Sequence, residues 1–556
     1  MTNEIEAILF DMGGTLRRTT RRTRDEKQQV IRRMMSLTGA SGSAEAFARR
    51  LSKRAKAYKV WAEQTHIELN ESDLWTRWML PDFPPQKIKE LAVQLNQLYR
   101  EAIGRRVVFP ESREVVLELF RRGYRLGLVS NTTSSVEVPA LLKELKIIGY
   151  FETITLSTVV GKRKPSPAML LNAIQRMGIA PERCAYIGNR IDRDVVTARK
   201  ANFSKTIILH DPRLTKLDVT DGSNLVPDHK IKNLRELLDI FPHRSAPEPA
   251  TVFDASLSTM WGMETFPTLT DFFEFARRTG FARIELNHKV TSVMLDGIDL
   301  SRFRFSSVHE PAPADISADE LKKRDWLISS TSEDCRREGV KAIKRSIDLA
   351  SRLGASAIVV HSGHTSPDMA PEKKLRALIA SDQRDSEEYR DIQQQMIWVR
   401  AELAEVAFES VKKSILELLT YAEKFGVCLG IENRYHYLEF PNPDELEILL
   451  GLADPNRIGF IYDVGHAQAL DQMGFYPYEE WLKRFAPRII GTHLHDVVGT
   501  TDHYAPGRGE VDFGMVAAYL PDGTFRTCEF QTFNTPEQVK AGLEFLVERG
   551  CIKSLR

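Results

Sequence analysis

Residues that can ligate a metal ion recur at the ends of apolar segments in the second half of the chain. The pairs Ile431-Glu432 and Tyr462-Asp463 each close an apolar run with a carboxylate, and Val360-His361 closes one with an imidazole. Burying such a group is costly unless it is paired or bound to a metal. One such residue is commonly a satisfied core residue, but independent structural reasons for a whole series are improbable. The residues concerned are His309, His361, Glu432, Asp463, His493 with its neighbour His495, and Glu529. Together they predict a metal centre.

A repeated strand-then-helix rhythm must position these residues. The predicted strands lie near 252–256, 283–286, 303–309, 356–361, 427–432, 458–463, 489–495 and 526–530. Eight strands with helices between them, in about 300 residues, are typical of a (β/α)₈ barrel, whose strands meet at one mouth by their carboxyl ends. A charged, Gln-rich stretch at 371–404 is expected to be a helical insertion after the fourth strand.

The motifs at these strand ends resemble a known family. They are Ile431-Glu432-Asn433, Asp463-Val464-Gly465-His466, Gly491-Thr492-His493-Leu494-His495-Asp496, Gly507-Arg508-Gly509 and Glu529. In this order they are similar to the xylose isomerase-like TIM-barrel superfamily, over about residues 252–556. That superfamily holds sugar and sugar-phosphate isomerases and epimerases, together with the family-2 AP endonucleases (endonuclease IV).

The epimerase pattern implies one divalent ion held by Glu432, Asp463, His493 and Glu529. His493 is preferred over His495 because it stands three residues before an acidic residue, and His466 is implied to contact substrate oxygens. Mixed carboxylate and imidazole ligands suit Mn²⁺, Co²⁺ or Mg²⁺, with Zn²⁺ as an alternative. Glu432 and Glu529 match the paired acid/base carboxylates, which move a proton through an enediolate while the metal polarises the carbonyl and hydroxyl oxygens.

The endonuclease pattern fits as well and leaves an alternative open. It implies three Zn²⁺ ions, with further histidines that match His309, His361 and His503. It breaks at one ligand, because Thr501 stands where a bridging Asp is expected and Asp502 is displaced by one. In the isomerase hypothesis, which we favour, these histidines contact substrate hydroxyls. A third hypothesis, a barrel that only binds or scaffolds, predicts no metal.

Two arginines near the predicted mouth are candidates for binding an anionic substrate group. Arg434 or Arg508 could hold a phosphate or carboxylate through paired N–H donors. Packing within their own loops is an equally good explanation.

The first half of the chain carries a second series of motifs. They are Phe10-Asp11-Met12-Gly13-Gly14-Thr15-Leu16, then Leu128-Val129-Ser130-Asn131, then Lys164-Pro165-Ser166-Pro167, and finally the run from Ile187 to Asp194. In this order they resemble the four motifs of the haloacid dehalogenase (HAD) superfamily. The resemblance covers residues 1–242 and implies a helical cap at about 18–105. It implies Asp11 as nucleophile, Ser130 and Lys164 as phosphoryl ligands, and Asp11, Asn189 and Asp194 as residues around Mg²⁺.

Two departures put the hydrolase activity of this half in doubt. Gly13 stands where phosphatase members carry the acid/base Asp, and Asn189 replaces the first Asp of the fourth motif. Loss of general acid/base help typically costs about 10²–10⁴-fold in rate. The half is therefore expected to be a slow or specialised hydrolase, or a domain kept for binding or assembly.

Composition and charge complete the expectations. Residues 251–556 carry 35 Lys+Arg against 47 Asp+Glu, or −12, and residues 1–250 carry the other 42 against 29, or +13. Proteins that bind nucleic acid concentrate positive charge, so this role is not expected of the second half. The basic run 17–33 is either a solvated helix face or a phosphate-seeking surface.

The expected architecture is α/β, a HAD-like Rossmannoid domain with a helical cap (1–242), a linker (243–251) and a TIM barrel (252–556). The scattered cysteines, with neither a signal-peptide-like start nor an apolar run long enough for a membrane span, favour a cytoplasmic protein that acts on a small sugar or sugar phosphate. A closed barrel does not force association, so oligomerisation stays open.

Overall fold

The computed structural model describes residues 4–210, 212, 225–246 and 248–555. The chain divides into two units, Met1–Pro247 and Glu248–Arg556, and the predicted linker at 243–251 contains this division. No helix among the described residues combines the length and the apolar character that crossing a membrane would need.

The first unit is built on a parallel sheet of six strands among the described residues, in the order β5-β4-β1-β6-β7-β8. The first strand is wholly apolar and fully buried, as befits a central strand of a parallel sheet. The strands of this unit are β1 (Ala7–Phe10), β2 (Arg17–Thr20), β3 (Arg105–Val108), β4 (Arg125–Ser130), β5 (Phe151–Leu156), β6 (Cys184–Gly188), β7 (Lys205–Leu209) and β8 (His229–Ile231).

The predicted cap is a helical subdomain with its own apolar core, centred on Leu51, Trp75 and Leu95. The expectation of helices throughout 18–105 was incomplete. Strands β2 and β3 pair as an antiparallel ribbon where the chain enters and leaves the cap. The helices of this unit are α1 (Arg24–Thr38), α2 (Ala44–Thr65), α3 (Glu71–Leu74), α4 (Pro85–Ile103), α5 (Ser112–Arg121), α6 (Glu137–Glu144), α7 (Ser157–Val160), α8 (Ala168–Met177), α9 (Val196–Lys200) and α10 (Leu237–Ile240), with π-helical turns at Trp75–Met79 and Ile191–Val195.

The second unit is a closed barrel of eight parallel strands in the order β10-β11-β12-β13-β14-β15-β18-β9. All eight predicted strands are present. Its strands are β9 (Phe253–Ser258), β10 (Phe281–Leu286), β11 (Phe305–His309), β12 (Ala357–Val360), β13 (Cys428–Glu432), β14 (Ile458–Asp463), β15 (Ile489–Leu494), β16 (Asp496–Val498), β17 (Thr501–Tyr504) and β18 (Phe525–Cys528). Strands β16 and β17 form an antiparallel ribbon after β15.

Amphipathic helices connect the barrel strands. The predicted insertion at 371–404 consists of α16 and the first half of α17. The helices are α11 (Thr259–Thr265), α12 (Leu269–Thr279), α13 (Ser292–Leu295), α14 (Ala318–Lys323), α15 (Glu333–Leu353), α16 (Ala370–Ala380), α17 (Glu387–Ala422), α18 (Pro443–Leu450), α19 (Val464–Gln472), α20 (Tyr478–Phe485), α21 (Phe513–Tyr519) and α22 (Pro536–Glu548).

Large side chains fill the barrel interior because glycines on neighbouring strands make room for them. A Cβ on Gly430 would lie 2.6 Å from Ile461 Cγ1, and one on Gly491 would lie 2.3 Å from Phe525. Ile461 precedes Asp463 by two residues on the same strand, so both point to the same face. The packed apolar layer therefore forms the floor on which the polar strand ends stand.

We predict that Ile461→Ala destabilises the barrel by about 2–5 kcal/mol, because Ile461 is fully buried and its truncation leaves a cavity. As a control, Leu416→Ala truncates a side chain that is 48% exposed and should change the free energy of unfolding by no more than about 0.5 kcal/mol. Chemical denaturation followed by circular dichroism measures both. Equal effects of the two changes would contradict this account of the barrel floor.

Candidate functional site

The four predicted metal ligands of the barrel lie together at its mouth. Glu432, Asp463 and His493 are on three adjacent strands, Glu529 directly follows β18, and all four are buried. His493 Nδ1 lies 2.7 Å from Glu432 Oε1, 3.4 Å from Asp463 Oδ2 and 3.2 Å from Glu529 Oε2. One ligand atom from each residue falls within 4.8 Å of all the others. This donor set suits a divalent cation, and that it binds one stays a prediction.

Polar contacts behind these ligands fix their orientation. His493 Nε2 lies 3.2 Å from Glu285 Oε2, which also accepts a hydrogen bond of 2.7 Å from Ser307 Oγ. An Nε2–H donated to Glu285 leaves the Nδ1 lone pair facing the three carboxylates. The sequence interpretation missed Glu285, although a carboxylate inside an apolar strand segment was the available signal.

Asn433 aligns two neighbouring strand ends. Its amide oxygen accepts from the backbone N–H of Asp463 and its amide nitrogen donates to the Asp463 carbonyl, both at 2.8 Å. Asp463 in turn accepts from the backbone N–H of His466 at 2.7 Å and so caps the start of α19. The spacing of the Asp-x-x-His motif therefore has a structural reason as well as a chemical one.

Cationic groups keep the buried carboxylates ionised. Burial alone would raise the pKa of Glu432, but Arg434 and the nearby imidazole of His361 lower it well below its usual value. Arg434 is buried, pairs with Glu432, and donates from Nε to Glu439 Oε2 at 3.1 Å. The structure thus places Arg434 within the site, beside the carboxylate predicted to act as acid or base.

His309 and His361 form a second ligand group with Glu432. Their ring centroids are 4.4 Å apart, and His361 Nε2 lies 3.0 Å from Glu432 Oε2. His309 Nδ1 contacts the carbonyl of Glu310 at 3.0 Å, which directs Nε2 away from that carbonyl. Both predicted substrate-binding histidines therefore adjoin the four-residue group.

A third group gathers Asp463 with His466, His495 and His503. His495 Nδ1 accepts from the backbone N–H of His503 at 3.0 Å, so its Nε2 carries the proton and donates to Asp463, also at 3.0 Å. Both ring nitrogens of His495 are thus engaged. His466 Nδ1 faces the carbonyl of Asn433 at 3.0 Å, and its Nε2 lies 3.6 Å from Asp502 Oδ2. His503 Nδ1 lies 3.0 Å from Asp502 Oδ1 and its Nε2 lies 3.5 Å from Glu529 Oε2, so the rings of His466 and His503 both face carboxylates of the site.

The Gly-Arg-Gly motif owes its shape to Asp496. The carboxylate of Asp496 accepts backbone N–H bonds from Gly507, Arg508 and Gly509 at 2.8–3.0 Å. Arg508 itself is exposed, and its guanidinium stacks 5.3 Å above the ring of Tyr504. The structure gives the motif a positioning role, and the contact of Arg508 with substrate stays a prediction.

The predicted residues of the first half converge at the carboxyl edge of its sheet. Asp11 directly follows β1, Ser130 ends the adjacent strand β4, and both are buried. The ammonium group of Lys164 is fully buried and lies 2.7 Å from Asp11 Oδ1 and 2.9 Å from Asp194 Oδ1. It also donates to the Tyr186 hydroxyl at 2.6 Å.

A guanidinium occupies the centre of this acidic group. Arg193 Nη2 lies 3.3 Å from each of Asp11 Oδ2, Asp194 Oδ2 and Asn189 Oδ1. These are the residues predicted to surround Mg²⁺, and their oxygens are engaged by Arg193 and Lys164. Among the described residues of this half there is no group of three acidic or imidazole ligands. The residues present do not fit a divalent ion in this arrangement, and the Mg²⁺ assignment stays untested.

Gly13 leaves open the space where phosphatase members carry their acid/base carboxylate. A Cβ on Gly13 would meet no atom within 4 Å, whereas one on Gly14, at φ +88°, would collide with Asn189. The missing acid/base group therefore reflects the residue type and not a lack of room.

Comparison with known proteins agrees with this division of the chain. Residues 5–202 match the haloacid dehalogenase-like hydrolase family, and residues 273–549 match the xylose isomerase-like TIM barrel family. Glyceraldehyde 3-phosphate phosphatase of Methanopyrus kandleri is 25% identical over 237 residues, which are 42% of this chain and 97% of that protein. Phosphoglycolate phosphatase of Nitrosococcus oceani is 36% identical over 144 residues, 26% of this chain and 61% of that protein.

A crystal structure of a D-tagatose 3-epimerase-like protein covers 53% of this chain and 98% of its own, with 19% identity and a TM-score of 0.37. The two family models identify the chain as a fusion, in which a haloacid dehalogenase-like hydrolase domain is followed by a xylose isomerase-like TIM barrel.

Proposed function

We propose that the barrel is a divalent-metal-dependent isomerase or epimerase of a sugar or sugar phosphate. One observation carries the proposal: two buried glutamates, Glu432 and Glu529, approach the same imidazole nitrogen of His493 at 2.7 and 3.2 Å. They come from strands that are not neighbours in the barrel, so they reach this point from different directions. Paired carboxylates beside a cation site suit removal of a proton on one side of a substrate carbon and its return on another.

In this proposal Glu432, Asp463, His493 and Glu529 hold the ion, which when bound acts as a Lewis acid on the substrate oxygens. One glutamate takes the proton from the carbon next to the carbonyl, and the other returns a proton to give the new configuration or the shifted carbonyl. Ser258 and Asn287 donate to Glu529 Oε1 at 3.3 and 3.4 Å and set its orientation. His466 binds a substrate hydroxyl through Nε2, which lies 3.6 Å from Asp502 Oδ2 in the free protein.

A second candidate, a multinuclear metal hydrolase, is favoured by the two additional ligand groups that share Glu432 and Asp463 with the first. Two facts count against it. His495 has both ring nitrogens in hydrogen bonds, and the half of the chain that holds the site carries 35 basic against 47 acidic residues. A phosphodiester substrate of high charge would be repelled by such a surface.

For the first half we propose binding of a phosphate ester with slow hydrolysis at most. The relatives named above are phosphatases, and Asp11, Ser130 and Lys164 stand at the edge of the sheet where the family binds phosphate. Gly13 and Arg193 work against efficient turnover, because the first supplies no proton and the second fills the acidic centre. Because the two domains share one chain, we also propose that they act on related substrates.

The metal content of the purified protein separates the two barrel hypotheses. We expect a single Mn, Co, Mg or Zn ion per chain by elemental analysis, and Asp463→Asn should lower its occupancy because Asp463 is one of the four ligands. The exposed change Asp299→Asn serves as the control. Three ions per chain would refute the isomerase proposal and favour the hydrolase. A metal-free protein would favour a barrel that only binds a ligand or serves as a scaffold.

Solvent deuterium reports the proton transfer directly. In D₂O with Mn²⁺ and a panel of ketoses and ketose phosphates, we expect deuterium at the carbon next to the carbonyl, detected by NMR. Glu432→Gln and Glu529→Gln should each slow exchange by about 10²–10⁴-fold, since each removes one proton carrier. The exposed change Glu548→Gln is the matched control. Exchange that is insensitive to both active-site changes would refute the assigned roles.

The first half can be tested by restoring the missing groups. We expect the combined variant Gly13→Asp, Asn189→Asp, Arg193→Thr to hydrolyse alkyl phosphates with Mg²⁺ at least about 10²-fold faster than the natural chain. The same variant with Asn at position 13 should not gain this rate, because an amide cannot carry the proton. Phosphate release measures both. Fast Mg²⁺-dependent hydrolysis by the natural chain would contradict the proposal of slow turnover.

A further inference from the structure

Three arginines surround one glutamate where the cap joins the sheet domain. Glu137, at the start of α6, accepts from Arg17 Nη2 at 3.0 Å, from Arg100 Nε at 2.8 Å and from Arg106 Nε at 2.7 Å. Arg17 begins β2, Arg106 lies on β3 and Arg100 is near the end of α4. One carboxylate therefore ties together the ribbon, the cap and the sheet domain.

The cluster carries more positive charge than its partner neutralises. Burial alone would raise the pKa of Glu137, but Arg100 and Arg17 lower it to about 2. Burial lowers the pKa of Arg106 to about 10, and repulsion from Arg100 and Arg17 acts in the same direction. Three guanidiniums held against one carboxylate thus repel each other, and a second anion would relieve that repulsion.

Arg17 has unused donors inside this cluster. Its side chain is only 6% exposed, yet its Nε and Nη1 find no hydrogen-bond partner among the described residues. A buried guanidinium N–H without an acceptor costs free energy that a bound oxygen would recover. Nη2 already donates to Glu137, so Nε and Nη1 are the donors that a ligand would use, after a movement of the side chain because both atoms are buried in the free protein.

These arginines line a cleft of about 490 Å³. Its ionisable lining residues are Arg17, Arg22, Arg100, Arg105 and Arg106 on the basic side and Glu101, Glu137 and Glu144 on the acidic side. Arg105 also pairs with Glu26, which lies outside this lining, so the five arginines have four carboxylates near them and the excess is one positive charge. None of Asp11, Ser130 and Lys164 lines the cleft, so it is separate from the sheet-edge site described above.

We propose that this cleft binds a phosphate dianion, either free or as the phosphoryl group of a small metabolite. Guanidinium groups match the geometry and charge of phosphate through paired N–H donors. The net positive charge and the unpartnered donors of Arg17 suit a phosphate group, and the volume of the cleft leaves room for a small organic group attached to it. A bound phosphate would brace the cap against the sheet domain, because its ligands belong to both.

The test is calorimetric titration of inorganic phosphate into the full-length protein that carries Ser130→Ala, at constant ionic strength maintained with NaCl. The change at Ser130 weakens the sheet-edge site, so the remaining heat reports the cleft. We expect Arg17→Met to weaken phosphate binding at least tenfold. Arg17→Lys should also weaken it, because lysine keeps the charge on Glu137 but lacks the free guanidinium edge. Arg183→Met, at an arginine paired with Glu6 on the surface, should change nothing.

Hydrogen exchange of the natural chain localises the site without any substitution. Added phosphate should slow amide exchange in 17–20 and 105–108. Binding that is lost in Arg17→Met reports the cleft and not the barrel. If this component is tighter for ribose 5-phosphate than for phosphate, the ligand is a phosphorylated metabolite, and if it is tighter for phosphate, the ligand is the free ion. Binding that is abolished by Ser130→Ala alone, or is unaffected by both changes at Arg17, would overturn the proposal. So would unchanged exchange in the two ribbon strands.

Discussion

Mutual repulsion among buried carboxylates is the constraint on which the barrel site depends. Glu432, Asp463 and Glu529 all approach His493 Nδ1 within 3.4 Å in a mouth from which water is largely excluded. One oxygen atom of each carboxylate lies within 4.8 Å of an oxygen atom of the others. Ionised carboxylates at this distance from one another repel strongly at low dielectric. The packed floor of Ile461 and Phe525 prevents the strands from separating to relieve the repulsion. The histidines and Arg434 balance only part of the negative charge of these carboxylates. A bound divalent cation would balance the rest.

The two halves of the chain meet the same electrostatic problem in different ways. In the barrel the ligand oxygens are arranged around a point that an external ion can enter, and Glu285 keeps the shared imidazole turned toward that point. In the sheet domain the corresponding acidic oxygens already contact Lys164 and Arg193, which are part of the chain. These internal cations balance the carboxylates without any ion from solution, and a divalent ion would have to displace the Arg193 side chain to reach them. The contrast explains why the barrel is the better candidate for present-day metal chemistry.

The sequence was informative where a residue's position along a strand fixes its place in the fold. The carboxyl ends of the parallel strands meet at one end of the barrel, so the proximity of Glu432, Asp463 and Glu529 could be predicted from the sequence alone. The β2–β3 ribbon was missed because Arg17-Arg18-Thr19-Thr20 carries no apolar alternation, and its stability comes from partners about 90 residues away. Arg193 was missed for a different reason. It was visible beside Asp194, but the direction of a long side chain depends on the surrounding charges, and those exist only in the folded chain.

The number of ions that the barrel can hold depends on which imidazole nitrogens carry a proton, as well as on the distances between the ligand atoms. By distance, Asp463, His466, His495 and His503 form a ligand group as good as the first. The backbone N–H of His503 assigns the proton of His495 to Nε2, and this proton points at Asp463. An imidazole that donates to a ligating carboxylate orients and polarises it instead of binding the ion. His495 then supports Asp463 as Glu285 supports His493, so this group has one imidazole fewer with which to hold an ion of its own.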